Sequence, residues 1–237
     1  MNYEEAVQKA PPGWRKFDLE DLERLPVAVR EHETRLVPDH ERRLIDARDP
    51  EAVERVLRFF FWTLVYHLEP GRWDALAQVE PIHPEVLAAL PQHADRGVDI
   101  GAGSGRLTQH LVSRCDHVFA VEPAAGLRKL LSRRFPTVET VAGWADALPL
   151  EDHCSDLTAG CGVLGPEPEI LSELERVTAV GGLIALISPV CPEWFEAHGW
   201  SRLAFPPIAT PDHDRWIDEF FGPPDPPHEL VMKRMTT

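Results

Sequence analysis

VDIGAGSGRL, residues 98–107, carries glycines at 101, 103 and 105, and an acid, Asp99, stands two places before the first. A short apolar run that ends in alternating glycines predicts a strand running into a tight turn whose backbone can lie close to a ligand. A phosphate-cradling P-loop needs a Gly-Lys-Ser/Thr ending, and here Gly105 is followed by Arg106 and Leu107. The dinucleotide fingerprint needs its third glycine five places after the first, and here the third comes one place early. Asp99 would also face the two negative charges of a pyrophosphate, which costs energy. The turn therefore asks for a ligand that tolerates, or wants, a carboxylate beside it.

Outward from this turn the chain alternates. GVDIGAG reads as a strand, RLTQHLVSRC as a helix, HVFAVEP as a strand, AAGLRKLLSRRF as a helix and TVETVAG as a strand. CSDLTAG follows as a strand, PEILSELERVTA as a helix stopped by Gly181 and Gly182, and LIALISP as a strand. Short apolar strands separated by helices of about a dozen residues imply right-handed crossovers and a parallel sheet with helices on both faces. The expected fold is α/β, a Rossmann-like doubly wound and mostly parallel sheet. In the tail, DHDRWIDEFF reads as a helix, PPDPP as a stiff spacer and HELVMKRMTT as a last strand.

S-adenosylmethionine meets the demand that the turn makes. It has no phosphate, and its ammonium group stands beside a positive sulfonium, so a carboxylate at the strand end can accept from it. Here the sequence resembles the class I S-adenosylmethionine-dependent methyltransferases, in the branch near the ubiquinone and menaquinone enzymes. The likeness rests on five segments in order between residues 97 and 188: VDIGAGSGRLTQHL, AVEP, AGWADALPL, SDLTAGCGVLG and ELERVTAVGGLIALISP. The resemblance implies a cofactor site built from Asp99, Gly101, Ala102, Gly103 and Gly105. It adds Glu122 and Pro123 at the second strand end, with Glu122 accepting from both ribose hydroxyls, and Leu127 against the adenine. After the third strand it implies Trp144, Ala145 and Asp146, and at the end of the fourth, Cys161. The family's acid after Gly143 is replaced by Trp144 here, so the adenine contacts depart from the pattern. Trp144 would stack on the ring, Ala145 would offer its N–H and Asp146 would take over the polar contact.

The first 92 residues read as a helical cap or lid, and 93–237 as the core with its tail. DPEAVERVLRFFFWTLVYHL (49–68) is one helix capped by Asp49, with Val53, Val56, Leu57, Phe60, Phe61, Leu64, Val65 and Leu68 on one face. Phe59 and Trp62 fall off that stripe and could line a second apolar space, that of the methyl acceptor. Residues 18–47 suggest two looser helices, and GRWDALAQ and HPEVLAAL two short ones. His83, just before the core, and His67, at the end of the long helix, are the candidate general bases. His83 serves equally well as a helix cap.

Net charge is −15 with His neutral, which disfavours nucleic acid and anionic membranes as partners. The acidic start MNYEEAVQKA shows no apolar signal region, and FFFWTLVY is too short to cross a bilayer. Cys115, Cys154, Cys161 and Cys191 show no zinc or redox spacing, and no metal site is expected. They read as reduced thiols of a cytoplasmic protein. Arg128, Lys129, Arg133 and Arg134 read as a solvated helix face. The function expected is methyl transfer to a small-molecule acceptor. A noncatalytic S-adenosylmethionine binder and, behind it, a nicotinamide oxidoreductase are the alternatives.

Overall fold

The computed structural model describes residues 3–236. Residues 1, 2 and 237, at the outer ends of MNYEEAVQKA and HELVMKRMTT, lie outside the described residues. The first part of the chain is helical: α1 (Tyr3–Lys9), a 3-10 turn (Pro12–Lys16), α2 (Leu19–Arg24), α3 (Val27–Thr34), α4 (Asp39–Asp46), α5 (Pro50–Phe59), α6 (Phe61–Leu68) and α7 (Pro70–Val79). Then come α8 (Pro84–Ala89), β1 (Ala94–Ile100), α9 (Thr108–Leu111), β2 (Cys115–Val121), α10 (Ala125–Arg134) and β3 (Glu139–Val141). The rest is β4 (Ser155–Cys161), α11 (Pro168–Val177), β5 (Thr178–Ile187), α12 (Pro192–Ala197), β6 (Ser201–Ala204), α13 (Arg215–Phe221) and β7 (Glu229–Arg234).

These elements fall into two compact units. One holds the chain as far as Leu76 together with Asp212–Pro224; the other holds Ala77–Pro211 and the chain from Asp225 onward. Residues 77–92, read from the sequence with the cap, thus cluster with the sheet, and the segment carrying α13 clusters with the helices.

The sheet unit has seven strands in the order β3-β2-β1-β4-β5-β7-β6. All run parallel except β7, which pairs antiparallel with β5 and β6. The order reverses between β1 and β4, the switch point beside which open α/β sheets bind ligands at their carboxyl ends. Val98 and Ile100 pack with Leu174, Ile184 and Phe195, while Leu157 and Ala159 pack with Leu107, Leu111 and Leu131. Two apolar clusters fed by adjacent strands are what a sheet covered on both faces requires.

Several elements differ from the sequence expectation. The long helix is divided at Phe60 (φ −79, ψ 0), although the backbone bonds Phe60 N–H to Val56 O and Leu64 N–H to Phe60 O carry across. Residues 18–47 form three short helices, set apart by Pro26 and Pro38, which stand at the N-caps of α3 and α4. Helix α9 is one turn only, because the positive φ angles through Gly105 delay its start. Gly181 and Gly182 do not stop α11. It ends at Val177, and Thr178 already pairs with Ser155 in β4 while its hydroxyl donates to Leu174 O at 2.5 Å. Strand β6, in a Pro- and Trp-rich stretch with no alternation, was not expected.

The helical unit has an aromatic interior. Phe61 meets Phe17, Phe220 and Phe221, and Trp62 stacks on Phe221 at 5.7 Å and edges Trp73 at 5.8 Å. Phe59 packs on Tyr3 at 5.0 Å. Phe59 and Trp62, off the main stripe, therefore have ring partners within their own unit. Among the described residues no helix is long and apolar enough to cross a membrane.

Candidate cofactor site

The turn after β1 is built as its glycines require. Gly101, Gly103 and Gly105 take φ of +65, +57 and +105, values that L side chains rarely adopt. Space is closed as well: a Cβ on Gly101 would stand 2.7 Å from Val163 Cγ2, and one on Gly105 would stand 2.5 Å from the Phe135 ring. The N–H groups of Gly101 and Ala102 both donate to Val121 O, at 2.9 and 3.1 Å, which pins the turn to the end of β2.

Two carboxylates are buried beside this turn. Glu122, the residue after β2, accepts from Gly103 N–H at 2.9 Å and from Ala124 N–H at 2.7 Å. Burial raises its pKa, opposed by those two N–H groups and by Arg128. Each oxygen keeps a second lone pair for a further donor. Asp99, two residues from the turn on β1, is 1% exposed. Its Oδ2 accepts from the Thr108 hydroxyl at 2.5 Å, while its Oδ1 finds no donor among the described residues. Burial pushes its carboxyl up to about 7, the Glu122 charge adding to the rise and the Thr108 and Arg106 groups opposing it. A buried carboxylate oxygen without a donor is costly in a folded chain. A cationic donor from a ligand would complete it, and a pyrophosphate would not.

Helix α10 braces both turns. Arg128 donates to the carbonyls of Glu122 and Pro123, each at 2.6 Å, and Arg134 donates to Ser104 O at 2.9 Å. The basic residues expected as a solvated face therefore include two that hold site backbone. Leu127, on the same helix, is fully buried.

The segment after β3 is a short turn in which Trp144 bridges Ala147. Trp144 is half-buried, Ala145 packs against the apolar cluster of Val98 and Ile100, and Asp146 is exposed. Cys161, the last residue of β4, is buried, and burial pushes its thiol up to about 11. It is a neutral thiol near pH 7. All four cysteines are free.

The two candidate bases belong to different units. His83 is buried and caps α8, its Nδ1 accepting from Glu85 N–H at 3.1 Å. Its ring stacks on Phe205 at 5.1 Å. An Nδ1 that accepts puts the proton on Nε2, so taking up a second proton would break the cap. His67 lies on α6 in the helical unit, not in the unit that carries the glycine turn. Sequence reasoning missed Thr108, Arg106 and Glu80, which complete the polar lining. A hydroxyl opening the helix nine residues after Asp99 was a readable signal, but Glu80 and its partners are brought together only by the fold.

Residues 98–186 match the Methyltransf_11 family, described as a methyltransferase domain. An uncharacterised methyltransferase of Schizosaccharomyces pombe is 37% identical over 94 residues, which is 38% of this chain and 37% of that protein. A demethylmenaquinone methyltransferase of Renibacterium salmoninarum is 29% identical over 105 residues, covering 43% of this chain and 44% of that protein. The matched part is thus about two-fifths of these relatives' own length. A solved S-adenosylmethionine-dependent methyltransferase of Thermotoga maritima, described as a possible histamine N-methyltransferase, aligns with TM-score 0.45 and 18% identity over 77% of this chain and 96% of that one.

The segment from β1 to β5 is thus similar to a methyltransferase domain, and its strands follow a doubly wound, mostly parallel order. The open Oδ1 of Asp99 and the glycine turn fit S-adenosylmethionine as a ligand.

Proposed function

We propose that the protein is a cytoplasmic enzyme that moves the methyl group of S-adenosylmethionine to a small, fairly apolar acceptor. The observation that carries the reading is the buried, unmet Oδ1 of Asp99 beside a glycine turn closed to side chains. Asp99 would accept from the cofactor ammonium, Glu122 from the ribose hydroxyls and Leu127 would border the adenine. Trp144 and Ala145 would flank the base as well, with the exposed Asp146 at its edge.

The bound cofactor supplies an electrophilic methyl on a sulfonium. The chain's task is then to align an acceptor nucleophile and keep water away, which can supply most of the acceleration. With His83 committed to a helix cap, no base is assigned. The free thiols support a reducing compartment, and the net charge of −15 argues against a nucleic-acid acceptor. Similarity to a protein named demethylmenaquinone methyltransferase supports an apolar acceptor.

The test is transfer of labelled methyl from S-adenosylmethionine to a panel of small quinols, phenols, amines and thiols. Turnover with one acceptor class supports the reading. Tight binding of S-adenosylhomocysteine with no transfer to any acceptor would favour the noncatalytic alternative.

A further inference from the structure

Glu80, just after α7, is a largely but not fully buried acid that the cofactor reading does not use. Its Oε2 accepts from Arg106 Nη1 at 2.7 Å, and its Oε1 accepts from the backbone N–H of Asp225 at 2.9 Å. The side chains of Arg106 and Glu80 are only 8% and 13% exposed. Arg106 directly follows Gly105, the last glycine of the turn. A Cβ on Gly162, the first residue after β4, would stand 3.1 Å from its Nη2. The guanidinium therefore lies at the carboxyl ends of β1 and β4, where the strand order reverses.

Asp225 is the middle of PPDPP, residues 223–227. Proline has no N–H, so Asp225 holds the single amide donor of that stretch, and that donor goes to Glu80. The stretch is held again where His83 N–H donates to Pro227 O at 2.8 Å. One carboxylate thus joins the cofactor turn to the proline stretch by which the chain returns from the helical unit to the sheet unit.

An arginine side chain has many rotamers, and a charge pair with good geometry selects one. Without its acid, a buried guanidinium is left uncompensated. It would turn toward water and draw residue 106, and with it the turn, out of place. We infer that Glu80 is a positioning residue of the cofactor site: through Arg106 it holds the glycine turn in its binding conformation and couples that turn to residues 225–227. The inference rests on the cofactor reading above.

The test combines binding and hydrogen exchange on the full chain. Glu80→Gln removes the charge at constant shape, and Arg106→Lys keeps the charge but loses the planar fork. Each should weaken S-adenosylhomocysteine about tenfold by calorimetry, and the double variant should be no worse than the weaker single. A purely structural pair would lower the melting temperature and leave affinity alone. In the wild type, the amide of Asp225 should exchange more slowly once S-adenosylhomocysteine is bound, a readout that needs no variant. Affinities within about twofold of wild type in both single variants, or Asp225 exchange indifferent to the ligand, would overturn the inference while leaving the cofactor reading intact. Failure of the wild type to bind would overturn both.

Discussion

The two units bury carboxylates in opposite ways. In the helical unit Glu41 is buried and answered twice, by Arg55 Nε at 2.9 Å and Arg55 Nη2 at 3.1 Å. The pair sits in a unit whose interior is otherwise mostly aliphatic and aromatic. In the sheet unit Asp99 is buried just as fully, yet one of its oxygens has no donor among the described residues. A group buried for stability is completed by the chain itself, whereas a group buried for a ligand is left for the ligand to complete. Perturbing the two units should therefore separate cofactor affinity from stability.

The strongest separation should come at the turn. Gly105→Val puts a branched side chain at φ +105 and against the Phe135 ring. S-adenosylhomocysteine binding should be lost, while far-UV circular dichroism keeps the helix content of both units. Glu122→Ala should come next. It removes the acceptor for the ribose hydroxyls and leaves the N–H groups of Gly103 and Ala124 unmet. A buried polar group without its partner costs ~1–3 kcal/mol, which corresponds to roughly a ten- to hundred-fold loss of affinity by titration calorimetry.

A smaller effect should appear with pH. The Asp99 carboxyl is pushed from 3.8 to about 7. Between those values the folded chain holds a proton that the unfolded chain has released, so this group's contribution to stability falls as pH rises through the window. A bound ammonium favours the ionised form. Affinity for S-adenosylhomocysteine should then rise several-fold from about pH 6 to about pH 8, and Asp99→Asn should flatten that rise. An unchanged slope in the variant would remove Asp99 from the site. The smallest effect on binding should be that of Trp62→Ala. Losing its stack on Phe221 and its edge contact with Trp73 should lower stability by about 1–3 kcal/mol in a denaturant melt. Cofactor affinity should stay within about twofold, since every assigned cofactor residue lies in the other unit.

The same contrast explains what could be read in advance. The sheet unit was legible because its constraints are local. Gly101, Gly103 and Gly105 must turn, Asp99 and Glu122 stand at strand ends, and short apolar strands alternate with helices. The helical unit showed only its apolar periodicity. Three successive phenylalanines gave no sign that Phe59 would find Tyr3 while Phe61 found Phe220, and nothing local tied residues 212–224 to the first 76. The basic face of α10 misled because charge patterning cannot show that Arg128 and Arg134 reach back to turn carbonyls. His83 could be read as cap or as base, and only the Nδ1 contact with Glu85 N–H decided it.

The central claim is that the carboxyl ends of β1 and β2 bind S-adenosylmethionine through Asp99 and Glu122. Its most direct test is calorimetric titration of the purified chain with S-adenosylhomocysteine and, in parallel, with NADH. The account predicts one site per chain for S-adenosylhomocysteine, weakened by Glu122→Ala, and no heat from NADH. Saturable binding of NADH without binding of S-adenosylhomocysteine would contradict it.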